Sequence, residues 1–268
     1  MKEKKGFYTL HRGSAPLLIS LPHVGTEIPQ EIQSKLTSTA LNMDDTDWHL
    51  EKVYEFCLEM GASLLVPRFS RYVIDLNRPP ENMVMYPGQN NTGLCPVQSF
   101  SGEALYKEDT PTNFEIESRI QQYWHPYHTA LEAELNRLKS AYGFALLWDG
   151  HSIKSQLPWL FEGILPDLNL GTAEGKSCAP SLEDQLRTVL STKKSYTYAV
   201  NGRFKGGYIT RRYGQPNKGI HAVQLEMSLA NYMQETLPYH LDIKKYKKLQ
   251  PILKELIKTM LAWKPNHG

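Results

Sequence analysis

The chain has 268 residues, and 30 Lys and Arg stand against 28 Asp and Glu, so the formal net charge is +2 with histidine neutral. A chain of this length buries most of its apolar surface without disulfides or a structural metal, and a charge so near zero excludes a protein built to grip a nucleic-acid backbone. The three cysteines, Cys57, Cys95 and Cys178, are far apart and form no CxxC, which excludes a disulfide framework and a cysteine-type zinc site and fits a reducing cytoplasm.

Taken in chain order, apolar runs and helical periodicities alternate. Residues 1–5 are basic, but His11, Arg12 and Gly13 interrupt the apolar run of a signal peptide, and residues 15–21 are too few to cross a membrane, so no membrane partner is expected. Residues 16–21 read as a buried strand ending at Pro22. Asp45 or Thr46 suits the cap of a helix with apolar positions Trp48, Val53, Phe56, Cys57 and Met60, stopped by Gly61. Residues 63–66 and 72–76 are strand-like, and residues 79–111, with Pro79-Pro80, Pro87-Gly88 and Asn90-Asn91, read as a long loop of the kind that often carries function. Asn113 suits the cap of a long helix carrying Ile116, Ile120, Tyr123, Tyr127, Leu131, Leu135 and Leu138 and ended by Gly143. A strand at 144–148, a helix from Ser181 through Leu190, strands at 196–200 and 221–225, and a helical stretch at 243–263 with Pro251 opening a new segment complete the pattern. The alternation predicts one α/β domain over residues 1–268 with a mostly parallel, buried sheet, whose sites gather where strands run out into loops.

Reactive side chains stand at four of those exits. His23 follows the first strand, Asp75, Asn77 and Arg78 follow 72–76, His151 and Ser152 follow 144–148, and Glu226 follows 221–225. Two imidazoles and a carboxylate make a three-ligand catalytic zinc site that keeps one position for water. The carboxylate is open: Asp45 and Asp47 in the run Asp44-Asp45-Thr46-Asp47 also suit a helix cap, and Glu27 lies four residues after His23. Glu226 fits a general base that takes a proton from water and returns it to the leaving group, the lesser alternative being a hydrogen-bonded strand-end glutamate. Position 154 is Lys where G-x-S-x-G needs glycine, so Ser152 is not read as a nucleophile, and neither a Walker A nor a GxGxxG motif is present. His125 and His128, beside Tyr123, Trp124 and Tyr127, read as packing on the long helix.

The segments Ser20-Leu21-Pro22-His23, Asp45-Thr46-Asp47-Trp48-His49, Asp75-Leu76-Asn77-Arg78, Trp124-His125-Pro126-Tyr127-His128, Trp148-Asp149-Gly150-His151-Ser152, Asn201-Gly202-Arg203-Phe204 through Arg211, and Gln224-Leu225-Glu226 stand in one order over about residues 15–235. Together they resemble the N-formylglutamate amidohydrolase (deformylase) family. The resemblance implies a three-layer α/β/α sandwich around a central mixed, mostly parallel sheet, like that of the zinc carboxypeptidase and aspartoacylase group. It implies hydrolysis of N-formyl-L-glutamate to formate and L-glutamate in the cytoplasm, the last step of one bacterial route of histidine degradation. It further implies one zinc ion on His23 and His151, Glu226 as acid and base, and a substrate carboxylate at Asn77 and Arg78. The wider group places a Glu three residues after the first His, but position 26 is Thr; Asp47 is chosen in its stead, with Asp45 and His49 in reserve. The small dianionic substrate needs at least two cationic clamps, for which Arg71, Arg78 and Arg211 are candidates and Asn77 adds donors. Arg71 and Arg78 flank one expected strand seven residues apart, so the pleat sends them to opposite faces and only one reaches the site. Arg203, Lys205 and Arg212 read as solvated surface charges, and Gly206-Gly207 as a turn that brings the Arg211 segment, with Tyr208, close to the ligand. Two rival expectations are an amidohydrolase for another N-acyl amino acid and a binding protein that retains the fold without catalysis.

Overall fold

The structure, a computed structural model, describes residues 2–83 and 90–265; Met1 and the Pro87-Gly88 part of the long loop lie outside the described residues. The first half runs β1 (Lys2–Lys5), β2 (Tyr8–His11), β3 (Leu17–Ser20), α1 (Gln30–Gln33), α2 (Leu50–Tyr54), α3 (Phe56–Glu59), β4 (Ser63–Pro67), α4 (Asn113–Arg119) and α5 (His125–Tyr142). The second half runs β5 (Ala145–Ile153), β6 (Leu168–Gly171), α6 (Pro180–Thr192), β7 (Tyr198–Val200), α7 (Tyr208–Tyr213), β8 (Ile220–Ser228) and α8 (Ile243–Ala262).

The strands form one mixed sheet in the order β1-β2-β4-β3-β5-β8-β6-β7. Its centre is parallel from β4 through β3 and β5 to β8, and the antiparallel pairs β1–β2, β2–β4 and β6–β8 lie to either side. Central strands are apolar on both faces, and their alternation feeds two cores. Leu17, Ile19, Leu64, Leu146, Trp148, Val223 and Leu225 join the core under α2, α3, α6 and α8. Leu18, Leu65, Leu147 and Ala222 join the core under α5 and α7. Helices on both faces complete the expected α/β layering. No helix among the described residues is long and apolar enough to cross a membrane.

Trp148 anchors the first core: it is fully buried, and its Nε1 donates to Tyr54 Oη at 3.0 Å. Trp148→Ala is expected to lower stability by about 3–5 kcal/mol, read as a fall in the urea midpoint, because it opens a cavity and strands the Tyr54 hydroxyl.

Several elements differ from the sequence reading. Residues 72–76 are not a strand: Tyr72, Val73, Ile74 and Leu76 are buried in the second core, but the Val73 N–H bonds to Ser70 O and the Asp75 N–H to Leu94 O, so the segment packs without joining the sheet. The expected helix from Asp45 or Thr46 begins only at Leu50 and breaks into two short pieces, with left-handed His49 (φ 64°) before it. Asp45 instead accepts the Phe100 N–H at 2.9 Å, so it pins the long loop rather than capping a helix. The long helix is capped by Thr112 in a capping box with Glu115, one residue before Asn113, and widens into a π-helical turn at Ile120–Trp124. Pro251 lies inside the continuous α8, where the buried face Leu249, Ile252, Leu253, Leu256, Ile257 and Met260 outweighs the lost hydrogen bond.

Candidate metal centre and catalytic cleft

β5 and β8 both run past their expected ends, so His151 and Glu226 stand on strands rather than in loops, paired in register across the parallel ladder. Period-two alternation puts Asp149 and His151 on the face of Leu147, and Gln224 and Glu226 on the face of Ala222. His23 lies in the turn after β3, and the Asp47 N–H donates to His23 O at 3.0 Å, which holds the acidic turn against it.

The structure brings His23, Asp47 and His151 together, all buried, with one ligand atom of each within 4.8 Å of the others. His23 Nδ1 and His151 Nδ1 are 3.2 Å apart, and Asp47 Oδ2 lies 3.8 Å from the first and 3.4 Å from the second. His23 Nε2 donates to Asp75 Oδ1 at 2.8 Å, which leaves the Nδ1 lone pair facing the cluster; Arg71 Nη1, 3.3 Å away, donates to it. Asp149 Oδ1 lies 3.0 Å from His151 Nε2, and Thr210 Oγ1 holds the other Asp149 oxygen at 2.9 Å. Each imidazole thus has a carboxylate behind it, as metal-ligating histidines do.

Charge and hydrogen bonding both fit a divalent cation. Both carboxylate oxygens of Asp47 are buried without a hydrogen-bond partner, a costly state for an acid unless a cation takes them. Asp47, Asp75, Asp149 and Glu226 crowd the two imidazoles, and Arg71, which bonds Asp75 Oδ2 at 2.6 Å, offsets one of the four. Burial disfavours the His151 imidazolium, yet Asp149, Asp47 and Glu226 outweigh it and hold His151 well above the ordinary imidazole value. Burial together with Arg71 holds His23 below that value. Burial also opposes the Asp75 carboxylate, but Arg71 and His23 hold it well below the usual range, so it is a permanent anion behind His23. Asp75→Asn is expected to weaken divalent-ion affinity by about 10- to 100-fold, measured by competition with a chelating dye, because the amide no longer orients and polarises the ring.

Of the other acids weighed for the middle position, Asp45 is held by Phe100 and pushed by burial to about 6, and Glu27 pairs with Arg68 through Oε2 at 2.6 Å. His49 Nε2 bonds Tyr239 O at 2.7 Å. All three are engaged outside the cluster.

A cleft enclosing about 580 Å³, open mouth included, lies over the centre, lined among others by His23, Asp47, His151, Glu226, Arg71, Asn77 and Arg78. Burial pushes Glu226 up to about 8, with His151 opposing. Arg71 and Arg78 both line the cleft, contrary to the pleat argument, because their segment turns instead of pleating. The Asn77 Oδ1 accepts the Ile209 N–H at 2.8 Å, so the amide braces α7 as well as facing the cleft, and its Nδ2 lies 2.9 Å from His151 Nε2. Arg211 is exposed, its Nε donating to Gly206 O at 2.8 Å, and is not among the lining residues; neither is Tyr208. The Gly206-Gly207 turn serves the scaffold: a Cβ on Gly207 meets Asn77 Nδ2 at 2.4 Å, so glycine permits the approach of α7 to Asn77 and Asp149. Arg203, read as a surface charge, lines the cleft beside Phe204.

The aromatic run on the long helix is structural. His128 stacks on Trp124 at 3.7 Å between ring centres and donates from Nε2 to Leu76 O, while Trp124 Nε1 donates to Arg78 O at 2.9 Å. Burial pushes His128 down to about 3, which keeps the ring neutral. These bonds set the Leu76–Arg78 carbonyls and hence the aim of Asn77 and Arg78. Sequence reasoning missed roles for Asp149, which stands behind His151, and for Gln224, whose Oε1 accepts the Gly207 N–H at 2.7 Å, although each lies two residues before a singled-out side chain on the same strand face.

A mixed α/β sheet that carries two imidazoles, a carboxylate and a buried glutamate into one arginine-lined cleft describes an enzyme of the amidohydrolase class. The sequence model of the N-formylglutamate amidohydrolase family matches residues 15–233, and the chain belongs to that family. The N-formylglutamate deformylase of Pseudomonas putida is 46% identical to it over 256 residues, covering 95% of this chain and 96% of the relative. That of Pseudomonas aeruginosa is 45% identical over 253 residues, covering 94% and 95%. The crystal structure of N-formylglutamate amidohydrolase from Ralstonia eutropha JMP134 superposes with a TM-score of 0.81 at 25% identity, covering 96% of this chain and 97% of that one. A gene product of Agrobacterium tumefaciens shares the fold at a TM-score of 0.73 and 18% identity, covering 95% of this chain and 94% of its own.

Proposed function

We propose that the chain hydrolyses N-formyl-L-glutamate to formate and L-glutamate, with one zinc ion held by His23, Asp47 and His151 and with Glu226 as the proton carrier. The observation that carries this reading is the register of Glu226 beside His151 in the floor of one cleft. Two imidazoles and one carboxylate are a donor set that zinc takes in catalytic sites. The ion supplies Lewis acidity toward the formyl group and lowers the pKa of water toward neutrality.

The chain's own residues do the rest. Glu226, buried and raised toward neutrality, takes a proton on its carboxylate as water attacks the formyl carbon and passes it to the departing amine nitrogen. Asp75 holds the His23 imidazole by a hydrogen bond, and Asp149 sets a carboxylate 3.0 Å behind His151. Arg78 has Nε bound to Thr92 O at 2.9 Å and Nη1 to Asn77 O at 3.2 Å, so its guanidinium is fixed in the wall to receive a substrate carboxylate. Arg71 sits deeper, stacked 4.4 Å over Phe100, and adds positive potential near the reacting carbonyl. The reaction belongs to the cytoplasm and to histidine degradation on this reading.

Purified, zinc-loaded protein is expected to release formate from N-formyl-L-glutamate, to release little acetate from N-acetyl-L-glutamate and to act poorly on N-formyl-L-aspartate. Preference for the acetyl compound moves the reading to another N-acyl amino acid, and no release from any of the three leaves only a binding role.

A further inference from the structure

Gln224 stands two residues before Glu226 on the same face of β8, in register with Asp149 of β5. Its side chain lines the cleft and is 2% exposed. A buried amide is costly to hold unless both its ends are hydrogen-bonded, and here only one end is. Gln224 Oε1 accepts the Gly207 N–H at 2.7 Å. Nε2 meets no acceptor among the described residues and is not sealed in the core, so its N–H groups open on the cleft.

The direction of those donors is fixed. A backbone N–H pairs only with the oxygen of an amide, so Gly207 settles which end of Gln224 turns to the cleft. The loop before Gly207 is tied down in turn. Asn201, left-handed at φ 51°, accepts the N–H groups of Thr172 at 2.9 Å and Glu174 at 3.2 Å, and Lys205 O accepts the Ala173 N–H at 2.6 Å. Gly206 then passes so close to Gly171 that a Cβ on Gly171 meets its nitrogen at 2.6 Å.

Spacing says which part of a ligand those donors meet. Glu226, as proton carrier, stands beside the formyl carbon. Glutamine and glutamate side chains are equally long, and two residues of strand separate their Cα atoms by about 6.6 Å. In N-formyl-L-glutamate the α-carboxyl carbon is three bonds from the formyl carbon, a span of at most about 3.8 Å, whereas the side-chain carboxyl carbon is five bonds away and reaches about 6 Å. Resting on the formylglutamate reading above, we propose that Gln224 is a specificity-determining residue whose Nε2 donates to the side-chain carboxylate of the substrate. The oriented amide gives that carboxylate a charge-assisted hydrogen bond, and a substrate without the acceptor leaves the donors unmatched.

The experiment measures kcat/KM on the full, zinc-loaded chain for N-formyl-L-glutamate, N-formyl-L-glutamine and N-formyl-L-norvaline, the last having the same carbon chain without side-chain oxygens. The wild type is expected to favour formylglutamate over formylnorvaline by about a hundredfold or more. Gln224→Met, which removes the donors and adds no charge, is expected to shrink that ratio at least about tenfold. Gln224→Glu keeps an oxygen for Gly207 but sets a carboxylate against a carboxylate, and is expected to turn the preference from formylglutamate to formylglutamine. A wild type that turns over formylglutamate and formylnorvaline equally overturns the assignment without touching the formylglutamate reading. So do variants that lose all three substrates by one factor, as a purely structural Gln224 would. If Gln224→Met does not fold, Gln224→Glu decides. A wild type that releases formate from none of the three defeats the reading and this assignment together.

Discussion

Glu226→Gln is expected to bind its divalent ion at full stoichiometry while turning over N-formyl-L-glutamate at least about a hundredfold more slowly, the usual scale of a lost general acid–base group. The amide is nearly isosteric with the acid, so the β5–β8 ladder and the cleft keep their shape. Burial already disfavours the charged form of Glu226, so the uncharged amide should not harm folding. What it cannot do is take a proton. Glu226 also makes a pH profile informative. Burial pushes its pKa up, and a base works only when ionised, so wild-type kcat/KM should fall on the acid side at a pH above the ordinary glutamate range, and the residual activity of Glu226→Gln should lack that limb. Loss of bound ion in Glu226→Gln would instead make Glu226 a ligand, and near-wild-type turnover would remove it from the chemistry.

How far the site could be read from sequence depended on what positions each residue. His23, His151 and Glu226 follow or extend runs of buried strand, and the sheet itself delivers them, so an apolar run ending in a reactive side chain was a sufficient signal. Asp149 carries an equally readable signal in its spacing from His151, because the pleat alone puts both on one face. Asp75 and Arg71 were harder. Their segment is as apolar as a strand, but its hydrogen bonds go to Ser70 and Leu94, and no periodicity marks a segment that packs on a sheet without joining it. Arg203 was misread for a related reason. A loop arginine is a surface charge by default, and what turns this one inward is a set of ties to Thr172, Ala173 and Glu174, some thirty residues earlier. The architecture was legible because a mixed sheet buried on both faces writes its strands as apolar runs. The short elements β1, β2, β6 and α7 were not, since their pairing or docking partners lie far along the chain.

The acid run was the least decided part of the sequence, and substitution there should separate its members sharply. Asp47→Asn is expected to reduce bound divalent ion from about one per chain to a small fraction and to cut formate release by at least about a thousandfold, the loss expected when several kcal/mol of Lewis-acid assistance disappear. Asp45→Asn and His49→Asn should keep the ion, because Asp45 serves Phe100 and His49 serves Tyr239. The physical difference lies in what each carboxylate already satisfies. Asp45 has a backbone N–H, whereas neither oxygen of Asp47 has a partner in the folded chain, and burial of such a group is a standing cost that only a cation repays. The same reasoning separates a lost ligand from a damaged fold. A ligand that binds only the native state at a hundred times its Kd stabilises it by about 2.7 kcal/mol, so adding zinc should raise the melting temperature of the wild type, of Asp45→Asn and of His49→Asn, and leave that of Asp47→Asn where it was. Metal-free Asp47→Asn should melt close to the metal-free wild type. An Asp47→Asn variant that keeps its ion and its thermal response to zinc would move the middle ligand elsewhere in the acidic turn, and one that melts far below the metal-free wild type would make Asp47 a structural residue first.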